Sequence, residues 1–212
     1  MNAVEAGPPR AIVGVLLAGG QARRMGGGDK CLRRLGDRTI LAHVIERIAP
    51  QVDALVLNAN GDPARFDAFG LPVAPDVIEG FAGPLAGVLT GMEWAHAERP
   101  DCAWIVTIAT DTPFLPTDLA ARMAAALERD GAELATAVSN NRTHPVFGLW
   151  PTALAPALRR AMLDEDIRKV DRFTSRYRLA EATFPIEPCD PFFNTNRPED
   201  LEQAERLIAA AS

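Results

Sequence analysis

Apolar residues in this chain fall into short runs divided by glycine, proline and polar clusters, and two periods alternate along it. Uninterrupted apolar, partly β-branched runs bounded by turn formers read as buried strands, whereas apolar residues recurring every three or four positions read as the inner face of a helix. Residues 11–18 (AIVGVLLA) give a first strand. Residues 39–49 (TILAHVIERIA) give a helix with Ile40, Leu41, Val44, Ile45 and Ile48 on one face and Pro50 as its stop. Two short strands follow, 54–57 (ALVL) ending at Asn58 and 71–75 (LPVAP) ending at Asp76. A helix over 85–97 can start with Pro84 in its first position. The strongest strand is 103–109 (AWIVTIA), apolar enough to lie at the centre of a sheet. Thr117 or Asp118 can cap an Ala-rich helix running to Arg129. Strands over 134–139 and 146–150 flank a polar turn at 140–144, helices cover 154–162 and 167–173, and a late strand covers 178–184. The amphipathic segment 198–211 carries Glu199 and Asp200 in its first turn, as a helix N-terminus favours. Strands alternating with helices predict an α/β fold with a doubly wound, mostly parallel sheet. The order of the strands is not readable from the pattern.

In such a sheet ligands bind outside the carboxyl ends of the strands, and the polar residues of this chain cluster at those ends. The first strand runs into GGQARRMGGGDK, residues 19–30. Gly19, Gly20, Gly26, Gly27 and Gly28 can present consecutive N–H groups to an anion, and Arg23, Arg24 and Lys30 add positive charge. This is the chemistry of a phosphate-binding loop. A Walker loop would need Ser or Thr where Cys31 stands, and the glycine spacing does not give G-x-G-x-x-G. Asn58 and Asp76 are candidates to touch the same ligand, although Asn and Asp are also ordinary turn and cap residues. Asp111, at the mouth of the central strand and opposite a cationic loop, is where a Mg²⁺ carried by nucleotide phosphates needs a hard oxygen ligand; its alternative is an Asx turn before Pro113. His144, a lone histidine before a proline, reads as a hydrogen-bonding turn residue rather than a proton carrier, and no Ser/His/Asp arrangement is visible. Arg168, Lys169 and Arg172 make one side of the 167–173 helix basic. That is either a solvated face or a contact to a phosphorylated acceptor.

Length and charge narrow the picture further. At 212 residues, with no linker-like stretch, the chain reads as a single domain over 1–212, with residues 1–10 a flexible N-terminus. A net charge of −6 excludes the basic face that a nucleic-acid partner requires, so the cations near residue 24 stand against an acidic background and suit a small anion. Cys31, Cys102 and Cys189 are odd in number and lack paired spacing, which reads as reduced thiols. The first ten residues show no cationic start followed by an apolar core, and no apolar run reaches membrane-spanning length. The expectation is a cytoplasmic protein without a membrane partner.

LLAGGQARRMGGGDKCLRRLGDRTIL also resembles the signature of the single-domain α/β nucleotidyltransferases, in the form found in molybdenum cofactor guanylyltransferases. The shared motifs are L-A-G-G, R-M-G-G-x-D-K, G-P-L-A-G, D-T-P-F-L-P, H-P-V-F-G-L-W and F-F-N-T-N-x-P-E-D-L, and they cover nearly the whole chain in family order. Cys31 departs from the family, which usually has Pro there. The resemblance implies a Rossmann-like, GT-A-like nucleotidyltransferase fold and transfer of GMP from GTP to the phosphate of molybdenum-bound molybdopterin. Alternatives are a cytidylyltransferase for the same cofactor, a sugar-nucleotide glycosyltransferase, which would usually carry D-x-D where Asp111-Thr112-Pro113 stands, and a non-catalytic chaperone that holds the cofactor. Site residues carried over are Leu17, Ala18, Gly19, Gly20, Lys30, Asn58, Asp76 and Asp111 for the nucleotide, with Lys30, Arg24 and Asp111 catalytic and Asp111 on Mg²⁺. Asn194 and Asn196 are expected at the acceptor. The implied partners are GTP, the molybdenum cofactor, and a molybdoenzyme or its chaperone receiving the product.

Overall fold

The computed structural model describes residues 11–19, 29–80 and 83–211. In chain order these form β1 (Ile12–Leu17), a ribbon of β2 (Arg34–Leu35) and β3 (Arg38–Thr39), α1 (Ile40–Ile48), β4 (Ala54–Asn58), β5 (Val73–Ala74), α2 (Pro84–Glu98) and β6 (Trp104–Ala109). There follow α3 (Leu119–Asp130), β7 (Leu134–Ser139), β8 (Arg142–Pro151), α4 (Ala155–Leu163), α5 (Val170–Thr174), β9 (Leu179–Thr183) and α6 (Pro198–Ala211). One seven-stranded sheet runs β5-β4-β1-β6-β8-β7-β9. All its pairings are parallel except those of β8, which is antiparallel to both β6 and β7.

The sheet is covered on both faces because β1 alternates. Ile12 and Leu16 pack with Leu41, Val44 and Ile48 of α1 and with Leu119, Met123 and Leu127 of α3. Val13 and Val15 point the other way, onto Leu85, Val88, Leu89 and Met92 of α2, where Trp150 and Phe173 also sit. α2 is buried nearly all round, from Leu85 to Met92 without a break. A smaller cluster of Leu35, Ile40 and Ala204 ties the β2–β3 ribbon to α6.

Three expectations change. The turn between β7 and β8 is only Asn140 and Asn141, both left-handed (φ 47 and 57), so β8 begins four residues earlier than periodicity suggests. The strand at 71–75 shrinks to Val73–Ala74. The helix read over 167–173 starts at Val170, because Asp166 turns left-handed (φ 49) and Ile167 N–H returns to the Ala161 carbonyl at 3.0 Å. That bond gives a partner to a carbonyl in the last turn of α4. No helix among the described residues is long and apolar enough to cross a membrane.

Candidate active site

The chain winds outward from β1 to β4 and β5, then returns past β1 to β6. At this reversal a crevice lies outside the carboxyl ends of the strands. Register brings the strand ends into one row: Ala74 pairs with Asn58, Asn58 with Leu17, and Leu17 with Ala109. A cleft of about 510 Å³ lies over that row, lined by Leu17, Ala18, Gly19, Lys30, Asn58, Asn60, Asp76, Asp111, Asn194 and Asn196, among others. Its floor is stitched by the Thr110 hydroxyl, which donates to the Leu17 carbonyl at 3.0 Å.

On the β4–β5 side, Asp76 is held by two amides. Asn58 Nδ2 donates to Oδ1 at 2.9 Å and Asn60 Nδ2 to Oδ2 at 2.7 Å, while the Asp76 N–H donates back to Asn60 Oδ1 at 2.8 Å. Asn58 is buried, 4 % exposed, and its Nδ2 also reaches the Ala74 carbonyl at 3.2 Å. Each carboxylate oxygen keeps a further lone pair, so Asp76 is oriented and still able to accept. Gly87 of α2 makes this possible. A Cβ there would stand 2.4 Å from Asn58 Oδ1.

On the β6 side, Asp111 is half-buried, and burial pushes its carboxyl above the usual range against the opposing pull of Lys30. Lys30 opens a short 3₁₀ turn, Lys30–Leu32, and its Nζ donates to Asn196 Oδ1 at 2.8 Å. Asn194 Oδ1 accepts from the Thr112 hydroxyl at 2.8 Å, and buried Thr195 donates to the Asp111 carbonyl through its N–H at 3.0 Å and its hydroxyl at 3.1 Å. The F-F-N-T-N segment is thereby tied to the end of β6, with both asparagine side chains exposed at the cleft. Asp200, in the first turn of α6, reaches back to accept from the Asn196 and Arg197 N–H groups at 2.9 and 2.8 Å, the return bond of a capping box. Cys31 also lines the cleft, and burial lifts its thiol to about 11, so it is inert.

Gly20, Arg23, Arg24 and Gly26 to Gly28 lie outside the described residues. His144 is not in the cleft wall but in a relay that sequence spacing hid. Ser139 Oγ lies 2.8 Å from Asp190 Oδ1 and 2.7 Å from His144 Nε2. The serine has one hydrogen and the carboxylate can only accept, so His144 Nε2 donates. The serine is the middle member, committed to Asp190, and is not a nucleophile activated by a base. With its ring 4.5 Å from Phe192, His144 clips β7 and β8 to the start of the F-F-N-T-N segment. Arg168, Lys169 and Arg172 are solvent-exposed, though a Cβ at Gly83, which lines the cleft, would stand 3.4 Å from the Arg168 carbonyl, so this basic segment borders the site. No group of three or more His, Cys, Asp or Glu residues that could hold a metal occurs among the described residues.

The family model for the MobA-like NTP transferase domain matches residues 14–181. The chain belongs to this family. Within it, a relative from Bradyrhizobium sp. (strain ORS 278), a molybdenum cofactor guanylyltransferase, is 58 % identical over 199 residues, covering 94 % of each chain. The fold is shared with a molybdopterin-guanine dinucleotide biosynthesis protein A from Archaeoglobus fulgidus (TM-score 0.72, 22 % identity, 93 % of this chain and 99 % of that one). It is shared also with a Mycobacterium tuberculosis protein solved in complex with manganese (TM-score 0.65, 20 % identity, 92 % and 98 %). As a MobA-like transferase the chain is a nucleotidyltransferase, and its doubly wound, mostly parallel sheet is that of the family.

Proposed function

We propose that this protein, working as one nucleotidyltransferase domain, transfers GMP from GTP to the phosphate of molybdenum-bound molybdopterin. An acceptor phosphate oxygen attacks the α-phosphorus, the bond to the β-phosphate oxygen breaks, and pyrophosphate leaves. Both partners are anionic and the acceptor is already ionised, so the catalyst has to position them and neutralise charge; no general base is required. The observation that carries this reading is the meeting of Lys30, Asp111, Asn194 and Asn196 at one end of a cleft whose other end holds an oriented Asp76.

Lys30 is assigned to the α-phosphate and the leaving oxygen, and Arg24 with the backbone of residues 19–28 to the β- and γ-phosphates. Asn194 and Asn196 face the acceptor, and the basic segment at Arg168 borders the same rim. Asp111 suits a Mg²⁺ ion: it is a hard oxygen donor whose charge burial disfavours in the ion's absence, and a single carboxylate matches a cation that keeps most of its waters and takes the rest of its ligands from phosphate. When bound, such an ion neutralises phosphate charge. Asp76 reads guanine, whose N1–H and 2-amino group are adjacent donors, while cytosine presents acceptors on that edge.

The test is pyrophosphate release with acceptor across GTP, CTP, ATP and UTP, in the parent and in Asp76→Asn. GTP should be preferred, and the variant should lose about tenfold or more of that preference, since a bidentate base contact discriminates by about 1 to 3 kcal/mol. Preference for CTP overturns the guanylyl assignment, and absence of pyrophosphate release would leave a cofactor-holding chaperone.

A further inference from the structure

Arg65 stands just outside the cleft, on a 3₁₀ turn, Pro63–Phe69, that connects β4 to β5. The turn is fixed by its own residues. Asp62 Oδ1 accepts from Ala64 N–H at 3.0 Å, Gly70 ends the turn in the left-handed region (φ 62), and Phe66, 1 % exposed, anchors it in the core. The guanidinium lies 4.8 Å from the Phe66 ring centroid and makes two polar contacts. Nε meets Asp29 Oδ2 at 2.8 Å, and Nη2 donates to the Asn60 carbonyl at 2.5 Å. The side chains of Arg65 and Asp29 are 31 % and 19 % exposed, so the pair is less screened than one on the open surface. Gly61, at φ 87, leaves the room required: a Cβ there would sit 2.9 Å from Arg65 Nη1.

Both contacts lead into the site. Asp29 is bonded directly to Lys30, and Asn60 grips Asp76 through two hydrogen bonds. We propose that Arg65 is a positioning residue that couples recognition of the base at Asp76 to placement of Lys30 at the phosphates. This rests on the reading of the cleft as a guanine nucleotide site. A planar fork with donors fixed relative to one another transmits displacement in a way that a flexible ammonium cannot. A base that seats Asp76 correctly therefore also sets Lys30, and part of the binding energy of the correct base appears as turnover rather than affinity. A residue that merely stabilised the turn would, on loss, slow every nucleotide alike.

The discriminating substrate is inosine triphosphate, which lacks only guanine's 2-amino group. Pyrophosphate release with acceptor is measured for GTP and for inosine triphosphate in the parent, Arg65→Ala, Arg65→Lys, Asp29→Asn and the Arg65→Ala/Asp29→Asn pair. Arg65→Ala should lower kcat for GTP by roughly tenfold to a hundredfold, as small misplacements of reacting groups do, with a smaller change for inosine triphosphate and in KM. Arg65→Lys, which can keep the contact to Asp29 but not the fork, should also lose the kcat advantage of GTP, and the double variant should be no worse than Arg65→Ala. Equal losses for both nucleotides, or single-variant losses that multiply in the pair, would overturn the coupling; if Arg65→Ala does not fold, Arg65→Lys and Asp29→Asn give the same readouts. A parent with no GTP-dependent pyrophosphate release sinks the guanine-site reading and this proposal with it. A parent with normal GTP preference whose variants keep the kcat ratio sinks the coupling alone.

Discussion

Gly87→Ala adds one methyl group near the start of α2, and within a helix alanine is intrinsically favoured over glycine by about 1 kcal/mol. Propensity alone predicts a more stable protein. The structure predicts the reverse, because the new Cβ would stand 2.4 Å from Asn58 Oδ1 and 2.5 Å from Leu17 Cδ2. Leu17 can yield by rotating. Asn58 is buried and cannot move without giving up its bonds to Asp76 Oδ1 and the Ala74 carbonyl. Overpacking costs about 1 to 3 kcal/mol and a hydrogen bond to a charged group about 1.5 to 3, so the propensity gain is outweighed and a net loss of about 1.5 to 5 kcal/mol remains. For a chain of this size that lowers Tm by about 3 to 20 °C. With Asp76 released from one of its two amides, kcat/KM for GTP should fall by roughly tenfold to a hundredfold, the rate equivalent of the lost charged bond. Thermal melts of the ligand-free protein and steady-state pyrophosphate release read the two effects separately. A variant with raised Tm and unchanged kcat/KM would show that Asn58 does not depend on the space at Gly87, and that the second glycine of G-P-L-A-G has no role in orienting Asp76.

Lys30→Ala should lower turnover by roughly a hundredfold to a thousandfold, or about 2.7 to 4 kcal/mol, with less effect on affinity for GTP; a raised KM at unchanged kcat would reduce Lys30 to a binding residue. Calorimetry should show little Mg²⁺ binding to the parent without GTP, and none of the Mg²⁺-dependent gain in GTP affinity for Asp111→Asn. Because burial raises the Asp111 carboxyl, its ionised form opposes folding above that raised value and the cost is relieved as pH falls through it. The ligand-free Asp111→Asn protein should therefore melt at or above the parent near neutral pH, with the difference closing towards acid pH. A parent that is the more stable of the two at neutral pH would refute that account of the site's electrostatics.

What could be read in the chain beforehand follows from how local each feature is. β1, β6 and β7 are predominantly apolar runs, and α1 and α3 show a helical stripe, so their identity is written in neighbouring residues. The reversal of β8 and the strand order are set by packing between distant segments, which no local period encodes, and the turn at Pro63–Phe69 is too short to have a period at all. The site divides in the same way. Asn58, Asp76 and Asp111 were legible because a parallel sheet delivers strand ends to one edge, so a polar residue after an apolar run is already placed in space. Asn60 offered a faint signal as the asparagine two residues beyond the end of β4. Arg65 offered none, since an arginine in a polar loop is ordinary on any surface and becomes specific only when Phe66 is buried beneath it and Asp29, distant in sequence, comes to pair with it. Residues that line the cleft at the strand ends are thus disclosed by fold class, whereas those that hold them in place are disclosed only by the hydrogen-bond geometry of this particular chain, and substitutions at Asn60, Arg65 and Gly87 are where the reading of the cleft can be broken most cleanly.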